Sequence, residues 1–277
     1  MIRLLRLRSI GASLVPALLA VCTPHAWAVY NNGTYDTTEP TNSQVSNWTN
    51  NWSLGTGITG WDYVGQVAGF ASGVYLRNGW VLTAGHVGSG TFVLGGTSYS
   101  AIAGTTHSIQ TTVGNTGTAD LVLFQIANPP NLAALTLSTS TPTVNFSKVV
   151  MVGYGGGQGE TWGYDTVTSK NIGVNVNSFY SIDFEAAYGT PASNVSHLVS
   201  GDSGGGDFIY TSNHWTLAGI NEAIDGSNNS YMVDLSYYYT QIDAVTAVPE
   251  PGIAGWLGAA IASLPLLSRL RRRRKLS

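Results

Sequence analysis

The chain reads as all-β, built from closed or nearly closed sheets with one short helix near its end. Apolar pieces of four to seven residues alternate with glycine or asparagine turns, few of them carry a helical period, and valine, tyrosine and threonine dominate them. The pieces are Val64 to Phe70, Gly73 to Leu76, Trp80 to Thr83, Thr91 to Leu94, Leu121 to Ile126, Val149 to Val152, Asn171 to Val176 and Trp215 to Ile220. Only Tyr237 to Val245, following the strand-like Tyr231 to Leu235, reads as a helix.

The two ends stand apart from this pattern. Residues 1–28 combine Arg3, Arg6 and Arg8 with an apolar stretch from Ile10 to Val21 and a small-residue Ala26-Trp27-Ala28 site. That is the layout of a secretory signal peptide, with cleavage by a signal peptidase after Ala28. A buried first helix is the plainer alternative, but Pro16 and Pro24 interrupt it. The sole cysteine, Cys22, leaves with this segment, so the mature chain has no disulfide and no thiolate ligands for zinc. Val21 is bulkier than the residue usual before a lipidated cysteine. No metal or organic cofactor is expected.

Residues 29–60 are crowded with Asn, Thr, Ser and Gly, and carry the echo Asn47-Trp48-Thr49-Asn50, Asn51-Trp52-Ser53. They read as a lead segment of loops with at most one strand. Across residues 29–248, three basic residues (Arg77, Lys148, Lys170) stand against fourteen acidic ones, a formal net charge of −11. Such a surface repels nucleic acid and anionic headgroups and attracts cationic peptides, although low lysine content also serves solubility alone.

Three short segments carry the chemistry. In TAGH, residues 83–86, small residues sit beside an imidazole that must approach a hydroxyl closely. In ADLVLF, residues 119–124, Asp120 opens an otherwise apolar strand, and a buried aspartate needs hydrogen bonds to its charge. The Nδ1 hydrogen of His86 is the partner that explains it; alone, Asp120 reads as a turn cap. In GDSGGG, residues 201–206, Ser203 lies between Gly201 and three glycines, so the backbone can turn sharply and leave amide hydrogens facing an oxyanion. A flexible glycine loop is the bland reading of that segment by itself.

Together the three segments resemble the trypsin-like (chymotrypsin-fold) serine endopeptidases over roughly residues 61–243. The order His, Asp, Ser, with spacings of 34 and 83 residues, separates this lineage from other hydrolases. The resemblance implies two adjoining six-stranded antiparallel β-barrels, at about 61–140 and 145–236, and a short closing helix at Tyr237 to Ile242. Val152-Gly153-Tyr154-Gly155 resembles the start of the second barrel, and Leu217 to Ile220 the strand beside the substrate backbone. It implies His86 as general base, Asp120 as its orienting partner and Ser203 as nucleophile, with the Gly201 and Ser203 amides as oxyanion hole. The implied activity is hydrolysis of peptide bonds in protein or peptide substrates through an acyl-enzyme.

Two positions depart from the family. The animal digestive members are switched on when a freed Ile-Val-Gly-Gly amine pairs with the aspartate before the serine; that aspartate is Asp202 here, and no IVGG is present. Either a further cut within residues 29–60 makes a new terminus, or internal donors hold Asp202. At the pocket position six residues before the nucleophile stands His197, not the aspartate that gives arginine and lysine specificity. It either accepts a polar or acidic side chain or merely caps a loop.

The C-terminal end, Val248-Pro249-Glu250-Pro251-Gly252, then sixteen mostly apolar residues to Leu267, then Arg269 and Arg271 to Lys275, resembles the PEP-CTERM sorting signal of Gram-negative bacteria. Sixteen residues rise about 24 Å as a helix, somewhat short of a hydrocarbon core of about 30 Å, with arginines able to snorkel. The resemblance implies transient membrane insertion through residues 252–267, cutting by a C-terminal sorting protease, and delivery to the cell surface or an extracellular matrix; a permanent anchor is the alternative. From a different functional class, an inactive protease fold serving as a surface or matrix binding module also fits the Asn/Gly/Tyr-rich composition.

Overall fold

A computed structural model describes residues 29–31, 34–52, 57–112, 117–189 and 196–247. The signal peptide and the Pro-Glu-Pro tail lie outside the described residues. Among the described residues, no helix is long and apolar enough to cross a membrane.

The strands in chain order are β1 (Tyr30–Asn31), β2 (Val64–Val67), β3 (Ala71–Arg77), β4 (Trp80–Thr83), β5 (Phe92–Leu94), β6 (Thr97–Tyr99), β7 (His107–Gln110), β8 (Thr118–Gln125), β9 (Lys148–Gly153), β10 (Thr161–Thr166), β11 (Ser169–Val176), β12 (Phe179–Ala186), β13 (Ser196–His197), β14 (Gly206–Thr211), β15 (His214–Ile224) and β16 (Ser230–Asp234). One α-helix, α1 (Tyr239–Thr246), follows them.

The strands form two seven-stranded antiparallel sheets, ordered β6-β5-β2-β3-β4-β8-β7 and β10-β9-β14-β15-β16-β12-β11, with β1 and β13 as a small separate pair. This corrects the expectation of two closed six-stranded barrels: each sheet has one strand more, and neither ladder returns to its first strand. In the first sheet the edge strands β6 and β7 are only three and four residues long, and the chain between them makes one isolated bridge, Ala101 to Ile126, in place of a ladder. In the second, β10 and β11 occupy opposite edges yet are joined by just Val167 and Thr168. The edges therefore meet at that corner and then diverge. A register slip between Lys170 and Ile172, with Asn171 at φ 57°, bends β11 away.

Two hydrophobic cores follow from the period-2 alternation of the second sheet. Val150, Val152, Phe208, Leu217 and Ile220 face a large core shared with first-sheet residues such as Val74, Leu82 and Leu121. Their neighbours Val149, Met151, Ile209 and Ala218 face a second core with Phe184, Met232 and Val29.

The lead segment straps the second sheet. Trp48 is fully buried, edge-on to Trp52, Phe208 and Trp215 at centroid distances of 5.2, 5.8 and 4.9 Å. The Trp215 indole N–H donates to the Asn47 carbonyl at 2.9 Å. The sequence echo around Trp48 and Trp52 is thus one aromatic cluster, whose edge-to-face pairs each add about 0.5–1.5 kcal/mol beyond area burial.

Candidate active site

Strand β4 is buried along its whole length and delivers the chain to His86. A turn follows, in which the Val87 and Gly88 amides donate to the Ala84 carbonyl at 3.1 and 3.2 Å. Asp120, third residue of β8, is fully buried. Its Oδ1 accepts the His86 backbone N–H at 2.7 Å and its Oδ2 meets the His86 Nδ1 at 2.5 Å. A buried carboxylate is tolerated when donors satisfy it, and His86 supplies both. With Nδ1–H committed to Asp120, Nε2 is left as the ring's acceptor. The His86 side chain keeps 18 % of its surface exposed, so that nitrogen stays reachable.

The Ser203 loop is held against the first sheet by Ser72 of β3, a buried residue that the sequence reading did not single out. Its amide donates to the Ser203 carbonyl at 2.9 Å and its hydroxyl to the Gly201 carbonyl at 3.1 Å, while the Tyr154 amide donates to the same hydroxyl at 2.7 Å. Two glycines are required here. Gly201 has φ 99°, and Gly204 has φ 88° with a would-be Cβ only 2.1 Å from Thr83 Oγ1 and 2.2 Å from the Ser72 carbonyl. This close approach sets the residue after Ser203 beside the Thr83-Ala84 segment that leads into His86. The amides of Gly201 and Ser203 donate to no described group, and no hydrogen bond joins Ser203 Oγ to His86 among the described residues.

Asp202 points away from the surface and is fully buried. It accepts the Val199 amide at 2.9 Å and the Gly155 amide at 3.1 Å, and the Val29 amide also bonds to it. Burial pushes its carboxyl up to about 7 against these three donors. All three donors are backbone amides of this chain. The third donor belongs to the residue that follows the expected signal cleavage site.

A cavity of about 270 Å³ opens beside Ser203, lined by Leu198, Val199, Asn221, Glu222, Ala223 and Ile224 among others. His197 is not in that lining. Its backbone pairs with Tyr30 across β1 and β13, its Nδ1–H donates to the Leu198 carbonyl at 2.8 Å, and its ring lies 5.3 Å from Tyr30 and 4.7 Å from Tyr188. Those contacts fit the loop-capping alternative. Asp183 and Glu222, buried acids close to Asp120, were also missed; a carboxylate inside a strand pattern carries no signal of what surrounds it.

An antiparallel two-sheet fold with an imidazole-carboxylate pair whose strand packs against the loop of a glycine-flanked serine defines a trypsin-like hydrolase scaffold. The family described as the trypsin-like peptidase domain matches residues 71–220, and the chain belongs to it. No curated protein matches the chain in sequence. Among solved structures, it is similar to a mutant, inactive form of Rv3671c from M. tuberculosis (15 % identity, TM-score 0.51, covering 79 % of this chain and 100 % of that one). It is also similar to human heparin binding protein (18 % identity, TM-score 0.52, covering 69 % and 94 %). The HtrA-type protease AlgW with a tripeptide gives 17 % identity and a TM-score of 0.50 over 67 % of this chain and 60 % of that one. At such identities these likenesses concern the fold.

Proposed function

We propose that the chain is an exported serine endopeptidase that cleaves protein or peptide substrates through His86, Asp120 and Ser203. The observation that carries this reading is the 2.5 Å contact between His86 Nδ1 and fully buried Asp120, beside a nucleophile loop clamped by Ser72.

Nε2 of His86 takes the Ser203 hydroxyl proton as Oγ attacks the scissile carbonyl carbon. The C–O bond forms, the carbonyl π pair moves to oxygen, and the Gly201 and Ser203 amides receive the oxyanion. Asp120 holds the ring in the useful tautomer and stabilises the imidazolium. Collapse breaks the C–N bond as His86 protonates the leaving amine, and water repeats the cycle on the acyl-enzyme. Catalytic hydrogen bonds are often long before substrate binds, so the unmade Ser203–His86 bond is compatible with this sequence of steps.

The cavity beside Ser203 takes the side chain preceding the cut; its Leu198, Val199, Ala223 and Ile224 walls suit an aliphatic group, and burial keeps the remaining acid in the lining, Glu222, uncharged. Export follows from a signal peptide removed after Ala28. The PEP-CTERM-like tail then directs surface or matrix delivery after its own removal.

A fluorophosphonate active-site probe tests the catalytic reading. Labelling of the wild type that vanishes in Ser203→Ala supports it. Absence of labelling in correctly processed, folded protein overturns it and leaves the binding-module alternative.

A further inference from the structure

Close to Asp120 lies a second pair of acids to which the catalytic steps above give no role, although Glu222 also lines the cavity beside Ser203. Asp183 on β12 is fully buried and Glu222 on β15 is 3 % exposed. Glu222 sits where the register of β15 on β16 slips between Asn221 and Ala223, and a bulge of this kind re-aims a side chain. In ordinary hydrogen-bond geometry none of the four carboxyl oxygens has a partner. The two carboxyls nevertheless lie close enough to interact with each other, and Glu222 with the Ser181 hydroxyl.

The surroundings offer no cation. Asp120 on β8, Asp234 at the end of β16, Asp207 on β14 and the Tyr238 phenol are the titratable groups facing the pair. Neither acid is in an ion pair among the described residues. Two bare carboxylates in contact inside a protein repel by several kcal/mol, and each also loses its hydration. Burial accordingly raises both, Glu222 the more strongly, with Asp183's charge adding to it. One proton held between them, O–H···O⁻, removes most of that cost.

We propose that Glu222 and Asp183 share one proton and that Glu222, through Ser181, is a positioning residue for Asp120. The proposal rests on the serine-peptidase reading above. The Asp120 amide donates to Ser181 Oγ at 2.8 Å. Ser181 has one hydrogen of its own, and the Glu222 carboxyl lies near enough to take it. With that hydrogen committed, a Ser181 lone pair stays turned toward the Asp120 amide and fixes the backbone that carries the His86 partner. Glu222 in turn gives its proton to Asp183, its neighbour on the same face of β12 as Ser181. Every link then has one donor and one acceptor, and the network keeps a single negative charge near Asp120.

The test compares wild type, Glu222→Gln, Glu222→Ala and Ser181→Ala as full mature chains. In Glu222→Gln the amide donates to Asp183 and its oxygen accepts from Ser181, so the acid limb of kcat/KM does not move, while KM changes because Glu222 also lines the cavity beside Ser203. In Glu222→Ala, Asp183 loses its donor and takes up a proton. The expected result is a fall in kcat of about tenfold and an acid limb displaced to lower pH, which lost packing alone would not produce. Ser181→Ala, a smaller change, gives the same loss in kcat and carries the test if Glu222→Ala does not fold. The infrared difference between wild type and Glu222→Gln at about pH 8 shows loss of a protonated-carboxyl band, a readout that does not need activity. No such band difference, a wild-type profile in Glu222→Ala, or an acid limb in Glu222→Gln displaced as far as in Glu222→Ala would each overturn the proposal. A wild type unreactive toward the fluorophosphonate sinks the peptidase reading instead, while the infrared result still decides the shared proton.

Discussion

The amide of Val29 bonds to the carboxylate of Asp202, and Val29 itself is fully buried among Val149, Met151 and Phe184. Tyr30 and Asn31 then pair with His197 and Ser196, which fixes the strand that brings Val29 there. Cleavage after Ala28 would turn that amide into an α-ammonium at the same place. A buried carboxylate gains more from an ammonium than from a neutral N–H.

A chain starting at Val29 should therefore be more stable at neutral pH than one retaining Trp27 and Ala28. The sign follows from Asp202, whose folded value of about 7 lies above its ordinary 3.8 when Val29 only donates an amide hydrogen. The folded state of the extended chain then binds an extra proton between those two values. Its stability falls as pH rises across that window and stays low above it. The ammonium lowers Asp202 and removes that loss, until it deprotonates itself at alkaline pH. The expected difference at pH 8 is on the order of 1 kcal/mol, about 2–4 °C in Tm, and probe labelling should be faster in the Val29 chain. Coincident Tm–pH curves for the two chains would contradict this.

Ser72 is a link between the sheets that bears directly on the Ser203 loop. Its hydroxyl joins the Gly201 carbonyl to the Tyr154 amide, so Ser72→Ala leaves two half-buried backbone groups without partners. Each costs about 1–3 kcal/mol. Because the loosened segment carries Gly201 and Ser203, kcat should drop about tenfold or more, with KM changing less. Stability and steady-state kinetics measured on one preparation separate the two effects, and an unchanged kcat in a destabilised variant would show that the clamp is structural only.

The cavity walls predict which bond is cut. Leu198, Val199, Ala223 and Ile224 present aliphatic surface beside Ser203, and the one acid in the lining, Glu222, is pushed far up by burial and so offers a lysine or arginine no charge. Peptides with leucine or valine before the scissile bond should be cleaved at least about tenfold better, as kcat/KM, than those with lysine or arginine. Replacing Ala223 by a bulkier valine should cut that preference toward smaller side chains. A library digest dominated by lysine and arginine sites would refute the assignment.

Much of this was legible in the sequence where local pattern and burial agree. The eight apolar pieces read as strands all overlap observed ones, because Val64, Leu82, Leu121 and Val150 each sit in a run that can only be buried as a strand. The strands that escaped carry polar or glycine residues inside. β12 holds Ser181, Asp183 and Glu185, β10 holds Gly163 and Asp165, and β14 begins with Gly206 and Asp207. Asp165, Asp183 and Asp207 are buried, which no single-strand pattern reveals. The motif residues His86, Asp120 and Ser203 were visible because chemistry limits them to few residue types. Ser72 and Ser181 were not, since their role is set by residues 129 and 61 positions away. Sheet closure was misjudged because it depends on edge strands only three and four residues long and on the slip at Asn171.

The final turn of the described chain bears on the tail beyond it. Helix α1 is tied to the first sheet by Arg77, which pairs with Asp243 and donates from Nε to Thr246 Oγ1 at 3.1 Å. The Asn78 side-chain amide donates to the Thr246 carbonyl at 3.1 Å, so the helix end is held by β3 and the turn after it. Ile242 is fully buried as well. Deleting residues 249–277 removes none of these contacts and should leave Tm within about 2 °C, because it shifts ΔG by less than about 1 kcal/mol. Labelling should persist, while surface or matrix delivery is lost and the enzyme stays periplasmic or freely soluble. Arg77→Ala in the same truncated chain should cost about 1–2 kcal/mol: the exposed ion pair contributes little, and the Thr246 bonds and side-chain packing supply the rest. Fractionation and intact-mass measurement of the C-terminus decide the sorting half of this prediction. A mature, membrane-bound product that still carries Arg271 to Arg274 would make the tail a permanent anchor.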